Sequence, residues 1–127
     1  MIARFSLLLA CALLTTAAHA DDAIYRVCVG KAGANQASLA RCGDERIRRA
    51  DIALGAALKS ALADMPGEAA RKALGEEQAA WAAFRDKSCL LFSSGDFAGD
   101  AQVVSFAVCR AGVIEARAKY LKSLTDN

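Results

Sequence analysis

Residues 35–64 read NQASLARCGDERIRRADIALGAALKSALAD, and this stretch decides the fold. Leu39, Cys42, Ile47, Ala50, Leu54, Leu58 and Ala61 recur largely at three- and four-residue steps, which puts them on one face of a helix. The opposite face is charged: Asp44 precedes Arg48, and Glu45 precedes Arg49, by four residues, the favourable orientation for helical ion pairs. Met65-Pro66-Gly67 then stops the helix, since proline lacks the amide proton and glycine favours a turn.

Working outward, a second long helix is expected from Glu68 to Phe92, with Glu68 suited to the positive end of its dipole and Leu74, Trp81, Phe84, Cys89 and Phe92 on the buried side. Ser93 to Asp100 (SSGDFAGD) is rich in turn formers and reads as a loop. A last helix follows from Ala101 to Leu124, with Val103, Phe106 or Ala107, Ile114, Ala118 and Leu121 inward and Glu115 with Lys119 outward. On the other side, Asp22 to Lys31 makes a short first helix, and Gly30 and Gly33 permit the chain to reverse. Alanine-rich composition, one proline among 127 residues and few β-branched side chains agree with helix throughout. The fold class expected is all-α: an up-down-up antiparallel bundle of three long helices with a short N-terminal helix beside it.

Residues 1–20 stand apart. Arg4, the apolar run Leu7 to Leu14 and the triplet Ala18-His19-Ala20 have the pattern of a signal peptide cleaved after Ala20. The run is too short for a membrane span. Cys11 follows Leu8-Leu9-Ala10, but bulky Leu9 and the apolar continuation beyond Cys11 depart from a lipidation box, so export without lipidation is expected. Residues 21–127 then form one domain. Cleavage removes Arg4, Cys11 and His19, leaving 15 basic against 14 acidic residues and no histidine. Such a balance offers no basic stripe for nucleic acid or anionic membrane.

Four cysteines remain, Cys28, Cys42, Cys89 and Cys109. An even number in a small exported chain reads as two disulfides. Their spacing contains no C-x-x-C, and no histidine is left to complete a zinc shell, so no metal or cofactor is expected. Three pairings are possible; the local one, Cys28–Cys42 and Cys89–Cys109, is preferred because each pair flanks a chain reversal, while sequence alone leaves the crossed pairings open. A bridge closing a loop of about 15 residues contributes roughly 3 kcal/mol, a large part of a net stability of about 5–15 kcal/mol.

The segment Gln78-Ala-Ala-Trp81-Ala-Ala-Phe84-Arg85-Asp86-Lys-Ser-Cys89 resembles the core signature of the LprI-like lysozyme-inhibitor family of small exported bacterial domains: Gln, Trp three residues on, an aromatic-Arg-acid triplet, then Cys. Cys42 ahead of Asp51-x-x-Leu54, and Cys109 ahead of Arg117 and Leu121, extend the resemblance over nearly all of residues 21–127. The chain departs from it at Gly55 and Leu58, where members often carry Asn and Tyr. The resemblance implies a bacterial envelope protein, periplasmic or secreted, that inhibits lysozyme. Its alternative is a structural or adaptor module binding another envelope protein; a weaker one is small-molecule binding between the helices.

Most motif residues have a plain structural reading. Trp81, Arg85 and Cys89 lie four apart on one helical face, with Trp81 expected in the core and Arg85 paired to Asp51 or Glu115, because a buried unpaired charge is costly. Arg117 is expected to join Asp51 or to cap carbonyls, and Asp86 and Lys87 to be solvated. The candidate partner-binding residues are those of the loop, Ser93, Ser94, Asp96, Phe97 and Asp100: loops on rigid scaffolds often bind, and Phe97 is a candidate anchor, unless it tucks into the bundle end. Without histidine or a free cysteine after cleavage, and with its acids in ion-pair spacings, the chain is not expected to be an enzyme.

Overall fold

A computed structural model of the chain describes residues 16–125. The predicted leader lies, for residues 1–15, outside the described residues. The described chain is helical: α1 (Thr16–Ala32), α2 (Gln36–Asp64), α3 (Glu68–Lys87), a 3-10 turn η1 (Leu90–Ser93) and α4 (Gly99–Ser123). Asn35 caps α2 with its side chain, which accepts from the Ser38 amide at 2.9 Å, a standard way to satisfy an orphan helix donor.

The long helices run up, down and up, so α2 and α4 are parallel. Their starts meet where a methyl on Gly99 would lie 3.8 Å from the Gln36 side-chain nitrogen Nε2, and further along Gly43 abuts Ala107. The seam uses small residues: Ala50, Ala57 and Ala61 of α2 and Ala111 and Ala118 of α4 share one core with Leu54, Ile114 and Leu121. Small side chains let the backbones approach closely and keep the interior dense. The antiparallel α3 adds Leu74, its one buried residue, with Trp81 half-buried against the same core. A second cluster of Tyr25, Cys42 and Ala107 holds α1 against the lower halves of α2 and α4.

Both preferred disulfides are present. Cys28–Cys42 joins α1 to α2 with a Cα separation of 5.8 Å, and Cys89–Cys109 joins the start of η1 to α4 at 5.9 Å, within the ordinary range for a bridge.

Three element boundaries differ from expectation. α1 begins at Thr16 rather than Asp22, because the alanine-rich approach to Asp21 has high helix propensity and contains no stop. α3 ends at Lys87 rather than Phe92: Ser88 folds back, donating its amide to the Phe84 and Arg85 carbonyls and its hydroxyl to the Phe84 carbonyl. Cys89 then turns left-handed with φ of 68°, so it lies beyond the helix rather than within its last turn. α4 begins at Gly99 rather than Ala101, taking Asp100 into its first turn where the helix dipole favours a carboxylate.

Candidate functional site

The motif residues gather where α3 faces α4. Arg117 of α4 is 8 % exposed. Its Nη1 lies 2.5 Å from the Glu77 carboxylate and its Nε donates to the Gln78 side-chain oxygen at 3.0 Å. Its guanidinium lies 5.8 Å from the Trp81 ring centre and 4.9 Å from that of Tyr120, an arrangement in which ring faces attract the cation. Arg85 stands 5.6 Å from the Trp81 ring centre and pairs with the neighbouring Asp86 at 2.8 Å. Two arginines thus flank one indole.

That geometry corrects several expectations. Asp51 lies exposed on α2 and pairs with neither arginine. Arg85 takes Asp86, which stays exposed as expected, and Arg117 takes Glu77 and Gln78. Trp81 is half-buried rather than central. Phe84 is 61 % exposed, because α3 lies on the outside of the α2–α4 pair and only part of its surface meets it. The cluster thus ties α3 to α4 and leaves Phe84 to solvent.

Sequence reasoning passed over a second buried arginine. Arg46 of α2, also 8 % exposed, reaches Asp22 of α1 at 3.2 Å and Glu115 of α4 at 4.0 Å, with its guanidinium 4.9 Å from the Tyr25 ring centre. Burial, partly offset by that guanidinium, holds the Tyr25 phenol above its usual value of 10.0. The one signal in the sequence was a cation following Cys42 by four residues on the apolar side of the helix.

The loop end carries the exposed apolar surface. Leu90 is 50 % exposed, Leu91 56 % and Phe97 37 %, and Phe97 meets Phe92 edge-on at 5.0 Å. Phe97 is thus seated on the half-buried Phe92 while still open to solvent. Ser94 donates its hydroxyl to the Asp96 carboxylate at 3.3 Å and accepts the Asp96 amide, closing the turn, while Ser93 ends η1 and Asp100 sits half-buried in α4. Arg110 of α4 donates to the Ser88 and Asp86 carbonyls at 2.9 and 3.3 Å, which fastens the end of α3 beside the Cys89–Cys109 bridge.

Two surface concavities lie between helices. One of about 210 Å³ runs between α2 and α4 beside Ser93; the other, about 410 Å³, lies between α1 and α4 over Tyr25 and Arg46. Among the described residues no group of His, Cys, Asp and Glu side chains is placed to hold a metal ion, and no helix is long and apolar enough to cross a membrane.

Together, these features define a small helical domain stapled by two disulfides. The chain belongs to the LprI lysozyme-inhibitor family, whose model matches residues 28–121 and so both bridges and the whole motif cluster. No curated protein and no solved structure gives a significant match. The family is one of inhibitors rather than enzymes, and membership together with two disulfides points to an exported protein.

Proposed function

We propose that this protein, released in the bacterial envelope by cleavage after Ala20, inhibits lysozyme by seating its braced end in the enzyme's substrate cleft. The observation that carries this reading is the exposure of Leu90, Leu91 and Phe97 on a segment tied to α4 by Cys89–Cys109. A pre-ordered segment loses little entropy on binding, and large exposed side chains near the centre of an interface supply most of its energy. Lysozyme's cleft is flanked by two carboxyl groups, which hydroxyls of Ser93 and Ser94 and the turn's amides would meet as donors.

The test is turnover of bacterial cell walls by lysozyme in the presence of the oxidised protein. Inhibition is expected at micromolar concentration, weakened roughly thirtyfold by Leu91→Ser with Phe97→Ala, the loss of about 2 kcal/mol that an anchor residue typically carries. Turnover unchanged at micromolar excess ends the proposal. The adaptor alternative would use the outer face of α2; that face carries the Arg48–Glu45 pair with Asp51 and Lys59, so its exposed Ile52 sits among charges, and it competes poorly with the loop end.

A further inference from the structure

The groove between α2 and α4 adjoins the proposed docking end, because Ser93, the last residue of η1, forms part of its lining. Its floor is where Gly43 and Ala107, both buried, come together. With no bulky side chain at either position, a depression opens between the half-buried Ile47 and Phe106. At about 210 Å³ it falls below the ~300–1,000 Å³ of sites for cofactors and drug-sized ligands, which suits it to a single side chain.

The rim supplies the sign of the charge. Asp44 is the one ionisable residue in the described lining, and Gln102 adds an amide beside it. The spacing predicts that Arg48 neutralises Asp44, yet Arg48 gives both Nε and Nη2 to Glu45, at 3.3 and 2.9 Å. Asp44 is exposed and forms no ion pair among the described residues. The groove therefore combines an apolar trough with a carboxylate that no cation of its own helix has claimed. A long aliphatic stem ending in a cation matches both parts. Arginine matches better than lysine: its guanidinium is more weakly hydrated, so it enters a half-buried site at lower cost, and its fork of donors can meet carboxylate and amide oxygens together.

We infer that this groove is a socket for an arginine side chain of the protein partner, with Asp44 binding the guanidinium and Ile47 and Phe106 flanking the stem. The inference rests on the reading of the neighbouring loop end as the docking surface, and it adds a specificity-setting contact there.

Two measurements separate its failure from that of the lysozyme reading. First, the amide spectrum of the ¹⁵N-labelled oxidised protein is followed during titration with butylguanidinium, and with neutral butylurea as the control of equal shape. Saturable shifts are expected at Gly43, Asp44, Gln102 and Ala107 with butylguanidinium, and a roughly five- to tenfold weaker response with butylurea or in Asp44→Asn. Shifts absent from the groove, or equal for the two probes, or unaltered by Asp44→Asn, overturn the inference. Second, lysozyme inhibition is compared for the wild type, Asp44→Asn and Asp44→Glu. A roughly five- to tenfold loss in the first variant, with recovery in the second, supports the socket. If butylguanidinium binds as expected but lysozyme is not inhibited, the socket stands and its partner is another arginine-bearing protein. If wild type and Asp44→Asn inhibit equally, the socket falls and the lysozyme reading survives. Asp44 lies on the surface, so its variants keep the fold, which their amide spectra check directly.

Discussion

Arg117 and Glu77 are unequal partners. The arginine side chain is 8 % exposed and the glutamate 47 %, so only the glutamate can return to water if the pair is broken. Glu77→Gln leaves a buried guanidinium facing neutral amides and should cost about 2 kcal/mol. Arg117→Met keeps the apolar contact with Trp81 and Tyr120, frees Glu77 to hydrate, and should cost less, about 1 kcal/mol. Urea midpoints at neutral pH decide, and the reverse order would show that the cation–ring contacts dominate. Tyr25 gives a second test at this scale. Its folded pKa is raised above 10.0, so its contribution to stability is complete below pH 10 and is lost as pH climbs through the folded value. Stability measured across the alkaline range should decline there, and Tyr25→Phe should flatten that part of the decline. Residue chemistry of this kind was poorly legible beforehand. Arg46 draws its acids from α1 and α4, and no spacing within α2 announces partners from two other helices.

At the scale of elements, the seam between α2 and α4 depends on glycine at one position and merely tolerates it at another. A methyl on Gly43 would stand 2.7 Å from the Ala107 methyl, whereas one on Gly55 meets nothing within 4 Å. Gly43→Ala is therefore expected to destabilise by about 1–3 kcal/mol through overpacking, and Gly55→Ala to stabilise by about 0.4–1 kcal/mol by stiffening the unfolded chain. Thermal melts of the two variants should move in opposite directions. The extent of α2 was readable because one face repeats against one parallel neighbour through 29 residues, with a proline after it. The end of α3 was not: Leu90, Leu91 and Phe92 continue a helical apolar pattern, and what breaks it is a tie from Cys89 to Cys109, twenty residues on. Leu90 and Leu91, neither of which was among the side chains expected to be buried, stand exposed on that segment. The loop was identified as a candidate, but its apolar weight lies in Leu90 and Leu91 as much as in Phe97.

For the whole molecule, the core is modest and the staples matter. Cys89→Ser with Cys109→Ser opens a crosslink with a sequence separation of 20 and should cost roughly 3 kcal/mol in the chain-entropy treatment. Hydrogen exchange should then show amides of η1 and the end of α3 losing protection first, while α2 and α4 retain theirs, since α3 contributes one buried side chain and weakly packed elements open at the lowest free energy. Equal loss across all helices would mean that the bridge holds the global fold rather than its docking end.

The placement of the two bridges has a topological result. Cys28–Cys42 closes within the first half of the chain and Cys89–Cys109 within the second, so no sulfur crosses the turn at Met65-Pro66-Gly67. A single nick there would yield two covalently independent fragments, each carrying its own crosslink, mated by noncovalent contacts alone: the alanine-lined seam, the Tyr25–Cys42–Ala107 cluster and the Arg46–Glu115 pair. Denaturant without any reductant would part them, and dilution would offer the halves a chance to recombine.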